Sequence, residues 1–401
     1  MTGAVVETIR DVEGFAKLQP AWGALLQSSS ANCLFLTWEW LFTWWRYLAD
    51  DRELCLLTVR NGDELLAIAP LAVRAFSWGR LLSLRSLEFL GTGSAGSDYL
   101  DVIVKAGRER EAVEALADHL VREGFIIDLA QVRRGSAVAI ELAHELVKRG
   151  FRGTETKTHV CPVLPVAGRS WSAYLATLGP EHRYNFQRRL RNATRRFDMR
   201  LVEARSPDER REALATLVAL HQKRWLARGG SDALHTPALL AFHEEITQLA
   251  LDRGWLRLFV LSLDGEAAAS LYGFRYERTF YYYQSGFDPA YAKHSVGLLA
   301  MGLAIQRAIE EKVEEYDLLH GDEAYKFHWA SEVSELVRLE LYPPRAPELL
   351  CKSARGMTRA AKRIAGKVLP HAVVDQARRG GTWRELATAI KAGIASAIFP
   401  S

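Results

Sequence analysis

Four titratable side chains, His320, Asp322, Glu323 and Lys326, fall within seven residues of one another. They follow a short apolar run, Tyr316 to Leu319. An aromatic-cationic cluster, Tyr325-Lys326-Phe327-His328-Trp329, comes next. Such a set suits transfer of an acyl group to an amine. The amine attacks as a neutral nucleophile, so a base must take its proton and a donor must stabilise the oxyanion. A carboxylate at the strand end, Asp322 or Glu323, could take the proton directly or through water, and Lys326 could meet the developing charge. The plainer alternative makes Asp322 a turn residue and Lys326 a surface lysine. No Ser-His-Asp arrangement or cysteine nucleophile motif is visible, which favours direct transfer over a covalent intermediate.

A second segment, Lys293-His294-Ser295-Val296-Gly297-Leu298, opens a long helix. The free N–H groups and dipole of a helix start suit a phosphate. Gly297 would let a ligand approach the backbone and Lys293 would add charge; Ser295 equally reads as an ordinary N-cap. A third segment, Arg183 to Arg196, carries six arginines. Tyr184, Arg188, Arg191 and Arg195 share one helical face. They read either as a phosphate-binding stripe or as a solvated surface. Gly91-x-Gly93-x-x-Gly96 has the dinucleotide-binding spacing, but a strand follows it rather than a helix, which excludes a nicotinamide or flavin site. Asp98 could still contribute to a substrate cleft.

The elements that must position these groups recur in two halves. A helix bearing Phe15, Leu18, Trp22, Leu25 and Leu26 precedes a Trp-rich amphipathic helix with Leu41, Trp44, Trp45 and Leu48 on one face. Strands at Leu54–Val59 and Leu65–Val73 flank Asn61-Gly62, a two-residue hairpin signal. A strand at Leu81–Leu90, a Gly/Ser loop and a strand at Asp101–Val104 follow. Then come a helix at Arg108–Glu123, a strand at Phe125–Ala130 and a helix at Ser136–Lys148. The second half repeats the order. Strands at Trp255–Leu263 and Ala267–Tyr276 flank Asp264-Gly265, and a third covers Thr279–Gln284. A helix at Val296–Lys312 and a strand at Tyr316–Leu319 complete it. Between the halves, Ser170 caps a short helix. Helices at Glu181–Arg196, Pro207–Arg228 and Pro237–Arg253 follow, with a strand at Met199–Ala204. This is an α/β (α+β) chain built by duplication.

Composition bounds the rest. The 401 residues are 49% hydrophobic and 25% charged, ordinary for a globular protein. No apolar run reaches the roughly 18 residues of a membrane span, and the N-terminus does not read as a signal peptide. Cys33, Cys55, Cys161 and Cys351 show no metal spacing, so no metal is expected and a reducing cytoplasm fits. From Cys351 onward ten Lys and Arg face only Asp375 and Glu385, so a basic, helical tail follows a mildly acidic body. Such a tail could rest on an anionic membrane at its inner face.

Three features carry a family resemblance: Arg183-Tyr184-Asn185-Phe186-Gln187-Arg188-Arg189-Leu190-Arg191, the run Tyr281 to Leu299, and Asp317 to Trp329. Together they resemble the GCN5-related N-acetyltransferase (GNAT) superfamily, and within it the CelD-like and BioF2-like acetyltransferases, relatives of the FemABX peptidyltransferases. The resemblance implies tandem GNAT-like mixed sheets flanked by helices: an N-terminal half (1–160), a C-terminal acetyltransferase domain (161–345) and the basic tail (346–401). It implies two central strands that splay around the donor's pantetheine arm. It also implies acetyl-CoA or another acyl-CoA bound at Lys293–Leu298, with Tyr184, Arg188, Arg191, Asp98 and Tyr325 toward the substrate. The acceptor would be a small-molecule or lipid-linked amine, such as a sugar or a cell-envelope or polysaccharide precursor. Lys326 matches the lysine of an aromatic-Lys-x-x-aromatic motif in FemABX-like enzymes. His294 and Leu299 depart from the usual donor-binding motif, which fits a FemABX-like branch whose donor is an aminoacyl-tRNA. A non-catalytic binding protein of this fold is the third alternative.

Overall fold

The computed structural model describes residues 3–78, 82–135, 137–226, 234 and 236–344; the basic tail lies outside them. The described residues among 1–75 and 85–343 form one compact unit.

The first half runs β1 (Val5–Ile9), α1 (Val12–Lys17), α2 (Gln19–Gln27), α3 (Trp38–Leu48), β2 (Glu53–Asn61), β3 (Glu64–Trp78) and β4 (Leu82–Phe89). It continues with β5 (Ile103–Val104), α4 (Glu109–Glu123), β6 (Ile126–Arg133), α5 (Val138–Lys148) and β7 (Arg152–Pro165). Helices α6 (Trp171–Thr177) and α7 (Pro180–Arg196) lead to the second half. There β8 (Met199–Glu203), α8 (Pro207–Leu226), α9 (Pro237–Asp252), β9 (Leu256–Leu263), β10 (Glu266–Tyr276) and β11 (Thr279–Phe287) come first. Then follow α10 (Val296–Glu310), β12 (Glu315–Asp317), α11 (Ala324–Phe327) and β13 (Glu332–Tyr342).

The duplication is nearly element for element, and the sheet order displays it: β1-β2-β3-β4-β6-β13-β7-β12-β11-β10-β9-β8, with β5 beside β3. The last strand of each half is exchanged. β13 pairs with β6 of the first half, and β7 pairs with β12 of the second. An Arg338–Asp128 ion pair ties the exchanged β13 to β6. Among the described residues each half contains one parallel pair, and both pairs are short. β4 meets β6 only at Ser86 and Leu87, and β11 meets β12 only at Thr279 to Tyr281. Beyond Tyr281, β11 runs on to Phe287 while β12 has ended, so the two strands part. This is the splay that the resemblance implied.

Local sequence explains most elements. Thr37 caps α3 by accepting from Trp40 N, and Trp40, Leu41, Trp44 and Leu48 are buried along it. Burial of each such side chain stabilises the fold by about 1.5–3 kcal/mol. Trp40 meets Phe35, Phe242 and Phe274 edge-on, which joins the two halves through aromatic packing. Ser170 caps α6 as expected. Asp264 and Gly265 both have positive φ, as the hairpin signal required.

Several expectations need correction. The first helical region is two helices, with Pro20 in the first turn of the second. The first hairpin turns at Gly62-Asp63, one residue later than expected, because Asn61 pairs with Glu64. β1, β7 and β13 are further strands. The outer stretch of β7 is polar on both faces and carries no apolar period, whereas Val337, Leu339 and Leu341 give β13 a legible one. The strand expected at Tyr316–Leu319 ends at Asp317. Leu319 (φ 54) and Gly321 (φ 143) then turn the chain away from the sheet.

Candidate active site

A cavity of about 510 Å³ opens where β11 and β12 part. The first half contributes its Gly-rich loop together with Gln131 and His159. The second half contributes Tyr282 to Gln284, Leu318 to His320, Glu323, Tyr325 and Lys326. The loop is held from both halves: Trp40 Nε1 donates to Ser97 Oγ at 2.9 Å, and the Tyr283 hydroxyl donates to the Ala95 carbonyl. Gly91, Gly93 and Gly96 all have positive φ, which a side chain would oppose.

That loop delivers Asp98, which is 0% exposed, to His320. The carboxylate accepts from His320 N at 2.9 Å and contacts His320 Nδ1 at 2.8 Å; Gln131 Nε2 donates to it at 2.8 Å. Burial alone would push the imidazole pKa down. The Asp98 hydrogen bond and charge overcome that and raise it. With Nδ1 engaged by a carboxylate, Nε2 is the ring nitrogen left for proton transfer. His159 lies 5.1 Å away, ring to ring, and its pKa is lowered by burial and then by His320.

Behind the dyad, Asp317 accepts from Tyr99 OH at 2.6 Å and from Leu319 N at 2.8 Å. Burial pushes its carboxyl up to about 6. Tyr99 and Leu319 both have positive φ, 57° and 54°. For bulky side chains that costs on the order of 1–3 kcal/mol each. The Asp317 bonds fix the backbone on either side of the Asp98–His320 contact.

Lys326 is 4% exposed and so is no surface lysine. Its ammonium donates to Leu319 O at 3.3 Å and His320 O at 2.8 Å, and pairs with Glu323 at 3.2 Å. Its three protons therefore brace the turn that carries His320. Tyr325 OH lies 3.4 Å from Tyr282 OH, and burial raises the Tyr325 pKa. Asp322 is exposed and does not line the cavity.

The segment expected to bind the donor forms a separate locus with α7. Ser295 occupies the N-cap of α10 with φ 57°, and its side chain makes no capping bond. It is therefore not the ordinary cap considered above. Gly297 is exposed, and a Cβ there would meet only Phe287, at 3.6 Å. Arg189 donates to Lys293 O at 2.7 Å. Burial lowers the His294 pKa, as do the charges of Arg196, Lys293 and Arg189. Leu298 is half-buried and Val296 buried, so this locus presents backbone and cations to a ligand. Tyr184 is 61% exposed, and Arg188 and Arg191 are exposed as well; none lines the cavity.

The structure thus unites Asp98, His320, Glu323, Tyr325 and Lys326 and leaves Asp322, Tyr184, Arg188 and Arg191 outside. Gln131, His159 and His243 join the site without a local sequence signal, because they reach it from β6, β7 and α9, far in sequence from the His320 segment. Among the described residues no group of three or more His, Cys, Asp or Glu could hold a metal ion. No helix among them is long and apolar enough to cross a membrane.

Comparison with known proteins agrees with this architecture. Residues 180–327 match the family model of the acetyltransferase (GNAT) domain. No curated protein matches the chain. Among solved structures, FemX superposes with a TM-score of 0.57 at 13% identity, covering 82% of this chain and 96% of FemX. The C-terminal domain of a putative lysylphosphatidylglycerol synthetase from Agrobacterium fabrum gives 0.51 at 10% identity, covering 86% and 96%. L-PGS from Bacillus licheniformis gives 0.50 at 13%, covering 84% and 96%. At such identities the likeness is one of fold: the chain has the mixed α/β architecture of a tandem GNAT-like acyltransferase.

Proposed function

We propose that the protein is an N-acyltransferase. It transfers an acyl group, acetyl in the first instance, from acyl-CoA to an amine on a sugar or a cell-envelope or polysaccharide precursor. The Asp98–His320 dyad inside the cavity at the splay carries this reading. His320 Nε2 takes the proton of the attacking amine as the new C–N bond forms and the C–S bond breaks. Asp98 fixes the tautomer and stabilises the imidazolium. Lys326 holds the His320 turn and places positive charge beside the cavity, where the carbonyl oxygen becomes negative. Glu323 orients Lys326, and Tyr325 lines the acceptor space. Acyl-CoA supplies the activated thioester.

The start of α10 fits the phosphates of that donor. It offers open N–H groups, a glycine without a crowding neighbour, and the cations Lys293, Arg189 and Arg196. Tyr184, Arg188 and Arg191 extend the cationic surface along α7. Those exposed arginines favour one further reading, in which the donor is an aminoacyl-tRNA bound with strong salt dependence. In either case the site works in the cytoplasm, and the basic tail brings it to lipid-linked acceptors at the membrane's inner face.

Titration calorimetry with acetyl-CoA and a long-chain acyl-CoA tests the donor. Micromolar binding weakened roughly tenfold or more by Gly297→Leu is expected. Absence of binding to both would overturn the acyl-CoA assignment and move the test to RNA.

A further inference from the structure

His243 stands apart from the dyad on the wall of the same cavity. It lies on the buried face of α9, is 2% exposed, and lines the cavity beside Leu239. Its ring is surrounded by aromatic rings: Phe242 at 5.1 Å, Tyr283 at 5.4 Å and Tyr272 at 5.8 Å. Nδ1 is buried without a hydrogen-bond partner among the described residues. Burial pushes the imidazole pKa down to about 3, so the ring is neutral near pH 7 and offers one N–H and one lone pair.

An unmet polar group in such surroundings is destabilising, and an apolar ring of the same shape would relieve that cost. Packing alone therefore gives no reason for histidine here. Its position on the cavity wall does. The wall nearby carries further uncharged hydrogen-bonding groups, among them Thr92, Ser94, Gln131 and Gln284. Such a surface suits a ligand with neutral hydroxyls. A buried neutral imidazole nitrogen meets a hydroxyl as donor or as acceptor, according to its tautomer, and gives an ionic group no counter-charge.

We infer that His243 is a specificity residue of the acceptor site, whose neutral imidazole hydrogen-bonds a hydroxyl of the bound amine. This rests on the acyltransferase reading for the acceptor's identity as an amine. The recognition itself is a binding property and can be measured without turnover.

D-glucosamine and cyclohexylamine share a six-membered ring and an amine, but only the first carries hydroxyls. Calorimetry would measure both on the full chain, on His243→Phe and on His243→Gln, with melting temperatures alongside. Glucosamine should bind the native protein, and His243→Phe should weaken it by roughly tenfold to a hundredfold, the value of one hydrogen bond a site is built to make. Cyclohexylamine should bind the two proteins equally. His243→Gln, which keeps a donor and an acceptor, should retain much of the glucosamine binding. The melting temperature of His243→Phe should equal or exceed that of the native protein. Equal glucosamine binding by native protein and His243→Phe, no glucosamine binding by the native protein, or a lowered melting temperature in His243→Phe would each overturn the inference. His243-dependent binding without acyl transfer would instead overturn the acyltransferase reading alone.

Discussion

Replacing Asp98 with Asn tests the dyad while changing almost no volume. The carboxylate receives the His320 main-chain N–H on one oxygen, and His320 Nδ1 and Gln131 on the other, all at 2.8–2.9 Å. An amide has one accepting oxygen, so its NH2 must face either the main-chain donor or the pair of side-chain donors. If it faces Nδ1, the imidazole must adopt the tautomer that puts its proton on Nε2, where a base cannot carry one. Hydrogen bonds to charged groups contribute about 1.5–3 kcal/mol each. Losing one of the two that hold His320, and the charge from the other, should cost roughly 2–4 kcal/mol in the transition state, or about 30- to 1000-fold in kcat. The pH profile should move as well. Asp98 raises the His320 pKa, and the base works deprotonated, so the acid limb should shift to lower pH in the variant while the plateau falls. The same linkage affects stability. The His320–Asp98 interaction contributes fully below the unfolded imidazole pKa near 6.5 and fades as pH rises through the raised folded value. Steady-state release of the CoA thiol across pH reads the kinetic effects. A kcat within about tenfold of native, with an unmoved acid limb, would refute the dyad's role.

Two further outcomes follow from the buried groups. Lys326→Met should lower both stability, by about 2–4 kcal/mol, and turnover, because the Leu319 and His320 carbonyls lose their donor; a variant with native melting temperature and native kcat would contradict the bracing role. Burial depresses His243 to about 3 and His221 to about 4, so the unfolded chain takes up these protons first as pH falls below 6.5. Stability measured by denaturant unfolding should therefore decline from about pH 6.5 toward 4, less steeply in His243→Phe; equal slopes in the two proteins would contradict it.

Much of this fold was legible in local sequence. Asp264-Gly265, the Ser170 cap, the Trp-rich helix and the order of elements in the two halves each rest on backbone geometry or apolar period that a short window contains. That Tyr325, Lys326 and His320 would line one cavity was legible for the same reason, since they share a short segment. The dyad was not, because Asp98 and His320 are 222 residues apart and meet only when the halves exchange their last strands. The polar outer stretch of β7 hid that exchange. The plainer alternative, Lys326 as a surface lysine, fails because two carbonyls of the preceding turn draw its ammonium inward, which its neighbours in sequence do not show. Asp322 and Glu323 are adjacent and alike in chemistry, yet only Glu323 reaches the cavity, a difference set by the left-handed turn at Leu319 and Gly321.

The most direct test is amine-dependent release of thiol from acetyl-CoA, with D-glucosamine as acceptor, by the native chain and by His320→Gln. Release by the native chain, reduced by about a hundredfold or more in the variant, is the expected result. Equal rates in the two proteins, or no release by a native chain that binds acetyl-CoA and glucosamine, would contradict an acyl transfer driven by His320.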